Sequence, residues 1–329
     1  WWSPDSSRIA YLQFDVSREP MYPHGDFLKM AAVAEPQRYP KAGQPNADVR
    51  VGVVPSSGGA TKWMDFGETR DFLIARVHWS PDSNSVLVHR LNRVQDHLWI
   101  AAADAKTGRS RVLIEETDPA WINITDDFRF LSGGRILRSS EQSGFRHLYL
   151  HAPDGKMLRQ LTRGEWEVSS IACVDENSGR IFYTSTQASP LERHLYRTSL
   201  DGEAPALLSP GAGTHSIQMS PACDYYLDTF SNLDSPPRTT LHDASGKEVR
   251  VWREPDTKIA EEYEILKTEI HRFQGADGTV FYGRLIRPAN FDPARKYPVI
   301  VSVYGGPHAQ SVRNAWAGGI NWEQVMAHK

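Results

Sequence analysis

Of the 329 residues in this sequence, the side chain best placed for chemistry is that of Tyr304. It follows the apolar run Val299-Ile-Val-Ser-Val303 and precedes Gly305-Gly306-Pro307. A phenol at the carboxyl end of a buried strand faces the crevice in which α/β sheets place their chemistry. From there its hydroxyl can donate to a developing oxyanion. The same position also suits a core or gateway aromatic. Two acidic pairs, Glu115-Glu116 and Glu261-Glu262, could hold a cationic amine through charge-assisted hydrogen bonds, although solvated surface carboxylates are the plainer expectation for both.

Other kinds of site find no support. The nucleophile elbow of an α/β-hydrolase needs Gly-X-Ser-X-Gly, which occurs nowhere in the sequence. Ser57, Ser132 and Ser245 have glycine neighbours, but each sits in a turn signal. Neither a His-Glu-X-X-His helix nor a phosphate-cradling glycine loop is present, so no metal or cofactor is expected. Cys173 and Cys223 fit no metal spacing; they permit one disulfide but read as ordinary buried or half-buried thiols. Asn123-Ile-Thr125 has the form of a glycosylation acceptor, which matters only in a eukaryotic secretory setting.

Composition narrows the partners. With 40% hydrophobic residues, 23% charged residues and a formal charge of -3, the chain carries neither the basic footprint of a nucleic-acid binder nor a polybasic membrane patch. The longest apolar run near the end, Tyr297 to Tyr304, is too short to span a bilayer. Trp1-Trp2-Ser3-Pro4-Asp5 starts in mid-pattern, without initiator Met or leader, so more chain is expected ahead of it.

The elements that must position these residues announce themselves by recurrence. An aromatic strand, a tight turn and a second strand run His97-Leu-Trp-Ile to Thr107-Gly108, and His147-Leu-Tyr-Leu to Asp154-Gly155. The unit returns as His194-Leu-Tyr-Arg to Asp201-Gly202 and Thr240-Leu-His-Asp to Ser245-Gly246, the glycines stepping by about 47, 47 and 44 residues. Glycine in such a turn accepts the positive φ that primed hairpins require. His97, His147 and His194 recur with the unit, which marks them as architecture rather than ligands. A second unit places a Ser-Pro turn before a short apolar strand, at Trp2-Ser-Pro-Asp, Trp79-Ser-Pro-Asp and Met219-Ser-Pro-Ala. Two hairpins in about 45 residues make a four-stranded sheet, and a tandem array of them is a β-propeller in sequence. Residues 1–255 hold five to six blades' worth of sequence. The stretch from Gln13 to Asn46, crowded with Pro and Gly, reads as a long excursion between strands of one blade.

After residue 258 the pattern changes. A hairpin turning at Gly275-Ala-Asp-Gly278 leads to the continuous apolar run before Tyr304, and a strand apolar on both faces belongs in a sheet covered by helices. Asn321 to His328 has a helical pattern. The expected division is therefore 1–258, an incomplete propeller, and 259–329, the first strands and helix of an α/β domain.

Several segments resemble dipeptidyl peptidase IV-like enzymes of the prolyl oligopeptidase family. They are Trp1-Trp-Ser-Pro-Asp, Arg38-Tyr-Pro-Lys-Ala-Gly43, Gly144-Phe-Arg-His-Leu-Tyr149, Leu161-Thr-Arg-Gly-Glu-Trp-Glu-Val168 and Val303-Tyr-Gly-Gly-Pro307, in family order and covering essentially the whole chain. The Tyr-Gly-Gly-Pro-His form has a bacterial look. The resemblance implies an eight-bladed propeller gating an α/β-hydrolase domain, with a Ser-Asp-His triad that removes dipeptides having Pro or Ala second. Tyr304 falls on the family's oxyanion-hole tyrosine. The family's acidic pair for the substrate amine is implied to lie ahead of Trp1 and the triad beyond Lys329, so this chain alone is not expected to cut peptides. The resemblance further implies a homodimer and favours a periplasmic or secreted setting, with a cytoplasmic one open. A related acylaminoacyl or oligopeptidase specificity, or a non-catalytic binding scaffold, is the alternative.

Overall fold

The structure is a computed structural model describing residues 1–26, 28–306, 309–317 and 321–329, with the side chains of Ile259 and Glu261 outside the description. Among the described residues, five antiparallel sheets of three or four strands succeed one another along the chain. The first has three strands, Arg8–Asp15, Asp48–Pro55 and Lys62–Trp63. The second has four: Phe72–Trp79, Ser85–Asn92, His97–Asp104 and Ser110–Thr117. The third runs Phe128–Phe130, Ile136–Ser140, His147–His151 and Met157–Gln160. The fourth runs Val168–Asp175, Arg180–Ser185, His194–Ser199 and Ala206–Leu207; the fifth runs Thr214–Met219, Tyr225–Ser231, Arg238–Asp243 and Glu248–Arg253. In the four-stranded sheets neighbours in sequence are neighbours in the sheet, which is the meander of a propeller blade; in the first sheet two strands that pair with each other intervene between Arg8–Asp15 and Asp48–Pro55.

The Ser-Pro unit folds alike three times because its serine closes a local ring of hydrogen bonds. Ser3, Ser80 and Ser220 each donate Oγ at 2.6 Å to Asp5, Asp82 and Asp224. The same oxygens accept the backbone N–H groups of Arg8, Ser85 and Tyr225, which start the next strand. Ser6, Ser83 and Cys223, three residues after each serine, sit at φ of 57°, 59° and 58°. The hairpin glycines Gly108, Gly155, Gly202 and Gly246 all have positive φ. At Gly155 a second reason for glycine appears, since a Cβ would lie 1.9 Å from the Leu113 carbonyl oxygen on the preceding sheet.

The chain divides into two compact units, Trp1–Ser143 with Tyr149–Arg159, and Gly144–Leu148 with Gln160–Lys329. In the first, Ala10, Val51 and Val53 pack against Val77, Val86 and Val88, and Leu98, Ile100 and Ile114 pack against Phe128 and Ile136. Each fully buried aliphatic side chain contributes about 1.5–3 kcal/mol, so a small sheet gains its stability from the sheet that covers its face. The Gln13–Asn46 excursion is a two-stranded ribbon, Met21–Asp26 paired with Val33–Arg38. At its base Lys41 lies 4.6 Å over the Tyr22 ring, which also meets Tyr39.

In the second unit, Phe182 and Leu195 of the fourth sheet pack with Cys223 and Tyr226 of the fifth. Here one expectation is corrected. Cys173 and Cys223 are not thiols but a disulfide across Cα atoms 5.9 Å apart. The Ser-Pro turn holds Cys223 in its left-handed position, beside a register shift in the strand that carries Cys173.

After a short helix, Lys258–Glu262, comes the expected hairpin, Thr268–Gln274 with Val280–Ile286, turning at Gly278 with φ of 84°. The helix Trp322–His328 is capped by Asn321, whose side chain accepts from the Gln324 N–H at 3.0 Å. Buried Gln324 then mimics a strand partner, exchanging hydrogen bonds with Leu266 N–H and C=O at 2.9 and 3.0 Å. A second expectation fails: Val299–Val303 forms no strand, and Val301 is 79% exposed. Among the described residues no strand pairs with this run, and without a sheet an apolar run has nothing to bury it. No helix among the described residues is long and apolar enough to cross a membrane.

Candidate functional site

Tyr304 is exposed, at 61%, and its ring folds back over Gly306. A Cβ on Gly306 would stand 2.6 Å from Tyr304 Cε1 and 2.8 Å from the phenol oxygen, so any other residue there would displace the ring. Pro307, expected to complete the bend, lies outside the described residues, as does His308. Beyond them, Gln310 and Asn314 are hydrogen-bonded to the segment that leads into the strand His194–Ser199, and Trp316 to Ser231 of the fifth sheet.

The acidic pairs do not behave as pairs. Glu115 faces out and meets His97 Nε2 at 2.6 Å. Glu116, on the opposite face of the same strand, is buried and bound to Arg138 and Ser140, each at 2.7 Å. It was expected to be solvated; strand alternation turns it inward beside Ile114, and Arg138 compensates its charge. Its carboxylate is thus committed and unavailable to a substrate amine. Glu262 is exposed, and the side chain of Glu261 lies outside the description.

The recurrent histidines are architectural, as their spacing indicates. His147 Nε2 lies 2.9 Å from the Gly164 carbonyl, and His194 Nδ1 lies 2.9 Å from that of Ser209. Thr162 and Ser209 occupy equivalent places, accepting from Leu148 and Leu195 N–H. The segment Leu161 to Val168 is a corner of this kind. Gly164 has φ of 136°, which brings Trp166 edge-on to His147 and face to face with Tyr183. Burial pushes the Tyr183 hydroxyl up. The serines are turn residues: Ser245 Oγ donates to Asp243 at 2.5 Å, and Ser132 opens a 3-10 turn.

Around Glu116 and Arg138 lies a polar core with a cavity of about 20 Å³, room for one water, lined by His89, Asn123, Asp127 and Ser139. Desolvation, followed by the charges of His78 and Arg138, holds the His89 imidazole down to about 3. Asn123 donates to Glu141 at 2.7 Å, so the residue of the apparent glycosylation signal is already engaged inward. These groups neutralise one another and present no reacting geometry.

Blades, corners and the exposed tyrosine define a β-propeller that leads into a Tyr-Gly-Gly bend. Residues 1–237 match the family model for the dipeptidyl peptidase IV N-terminal region, and the chain belongs to that family. It is 31% identical, over 95% of its length, to a probable dipeptidyl-aminopeptidase B of Emericella nidulans, covering 38% of that protein. It is 30% identical over 96% of its length to dipeptidyl peptidase 4 of Trichophyton rubrum, covering 43% of it. The crystal structure of Porphyromonas gingivalis dipeptidyl peptidase 4 superposes with a TM-score of 0.91 at 26% identity, over 99% of this chain and 47% of that one. The chain thus spans less than half the length of these relatives.

Proposed function

We propose that this chain is the substrate-gating propeller portion of a serine exopeptidase that releases N-terminal dipeptides with Pro or Ala second. The observation that carries the reading is the family match over residues 1–237, joined to a Tyr-Gly-Gly bend in which an exposed phenol is held over Gly306. In this reading residues 1–258 are propeller, and residues 259–329 open the α/β-hydrolase domain. The reaction is acyl transfer: a serine attacks the carbonyl carbon of the second residue, and Tyr304 Oη–H donates to the tetrahedral oxyanion. The C–N bond to the third residue breaks with its amine leaving protonated, and water then hydrolyses the acyl-enzyme to free the dipeptide. No Gly-X-Ser-X-Gly occurs among the 329 residues, so the nucleophile is drawn from elsewhere in the full-length protein. The Cys173–Cys223 disulfide favours an oxidising compartment, periplasmic or extracellular, and the full-length protein acts as a homodimer in this reading.

The test uses the full-length protein with a Gly-Pro chromogenic amide and its N-acetylated counterpart. Release from the free amine alone, abolished by a serine-directed inhibitor, is expected. Equal release from both, or none from either, would contradict the reading.

A further inference from the structure

Asn314 spends every polar group it has on the propeller. Its backbone N–H donates to Leu191 C=O at 2.9 Å, and its carbonyl accepts from Thr214 Oγ1 at 2.9 Å. Its side-chain Nδ2 donates to Glu192 Oε1 at 2.7 Å, and its Oδ1 accepts from Leu233 N–H at 3.3 Å. Glu192 ionised can only accept and Leu233 N–H can only donate, so the orientation of the amide is fixed by its partners. Leu191 and Glu192 lead into the strand His194–Ser199 of the fourth sheet, whereas Thr214 opens the first strand of the fifth and Leu233 lies in the turn between its second and third strands. One residue therefore clips both sheets together where Arg193 and Thr214 form an isolated parallel bridge.

The clip has supports on both sides. Gln310 Nε2 donates to Pro190 C=O and Gln310 Oε1 accepts from Arg193 Nη2, each at 2.8 Å. Trp316 N–H donates to Ser231 Oγ at 3.3 Å. Glu192 is itself steadied, its Oε2 lying 3.0 Å from His194 Nε2. This anchored stretch starts six residues after Tyr304, a span of about 20 Å at full extension. The run Val299–Val303 ahead of Tyr304 is exposed and pairs with no strand among the described residues, whereas the stretch after it is hydrogen-bonded to the sheets.

We infer that Asn314 is a positioning residue: by locking onto Glu192 and the fifth sheet it fixes the backbone that aims Tyr304. The inference rests on the proposed oxyanion role of Tyr304. Asparagine is required because aspartate would set a second carboxylate against Glu192, and alanine would leave Glu192 Oε1 and Leu233 N–H unpaired. The pairing can also be reversed. With Asn314→Asp and Glu192→Gln together, the amide installed at position 192 can donate to the carboxylate installed at position 314 while its oxygen stays toward His194 Nε2. That carboxylate in turn still accepts from Leu233 N–H.

The experiment measures kcat and KM of the full-length protein on a Gly-Pro chromogenic amide. Asn314→Asp is expected to lower kcat by about tenfold or more, since small misplacements are costly, with KM within about twofold. The Asn314→Asp/Glu192→Gln pair should recover to within about threefold of wild type. In a Tyr304→Phe background, Asn314→Asp should add less than about twofold, because the group it positions is gone. A normal kcat for Asn314→Asp beside a crippled Tyr304→Phe overturns the inference and leaves the oxyanion reading standing. Full additivity of the two, or a reversed pair no better than Asn314→Asp alone, overturns it as well. A silent Tyr304→Phe removes the oxyanion reading and this inference together. Should Asn314→Asp fold poorly, the reversed pair carries the test, and a tenfold loss there counts against the inference.

Discussion

Cys173 and Cys223 join the first strand of the fourth blade to the Ser-Pro turn of the fifth. The bond closes a loop of 50 residues that contains nearly the whole fourth sheet. Such a cross-link removes about 4 kcal/mol of loop entropy from the unfolded chain. Reduction, or Cys173→Ser with Cys223→Ser, is therefore expected to lower the thermal midpoint by on the order of 10 °C. Scans with and without reductant check this, and the double-serine protein should ignore the reductant. Two titratable thiols in the unreduced, denatured protein would contradict the bond.

Gly155 and Gly179 separate two reasons for a turn glycine. Both have positive φ, but a Cβ on Gly155 meets Leu113 backbone at 1.9 Å, whereas nothing lies within 4 Å of one on Gly179. Gly179→Ala should cost about 1–2 kcal/mol from backbone strain alone. Gly155→Ala should cost several kcal/mol, because backbone of the neighbouring sheet must move. Urea unfolding midpoints distinguish them, and equal losses would show that the close approach is not limiting.

Acid should loosen the polar core through His89. Its imidazole is held to about 3 by burial, against an ordinary value near 6.5, so the unfolded chain binds the proton first. Stability from this group is complete above about pH 6.5 and is lost as pH falls toward 3, by about 2 kcal/mol at pH 5. Burial lowers His78 in the same direction. Chemical denaturation at pH 7 and pH 5 measures the loss, and His89→Gln should flatten it. An unchanged slope would place the acid-sensitive group elsewhere.

The sequence carried the blades because their signals are local. Ser3, Ser80 and Ser220 each close a ring within five residues, and Gly108, Gly155, Gly202 and Gly246 each answer a φ requirement inside one turn. What it hid is partnership at a distance. Glu116 looks like Glu115 until strand alternation turns it toward Arg138, 22 residues away; the period-two pattern from Ile114 was the available signal. The cysteine pair depends on two blades packing, and the four bonds of Asn314 join segments 81 to 123 residues apart. The Val299–Val303 run shows the reverse case, since its apolar pattern names a strand but cannot supply the neighbour a strand needs.

The most direct test of the account is kcat for Tyr304→Phe in the full-length protein on a Gly-Pro chromogenic amide. On the proposed oxyanion role, removing the Tyr304 hydroxyl should lower kcat about a hundredfold or more with little change in KM, because the hydrogen bond it is proposed to make exists only in the transition state. A kcat within about twofold of wild type would contradict it.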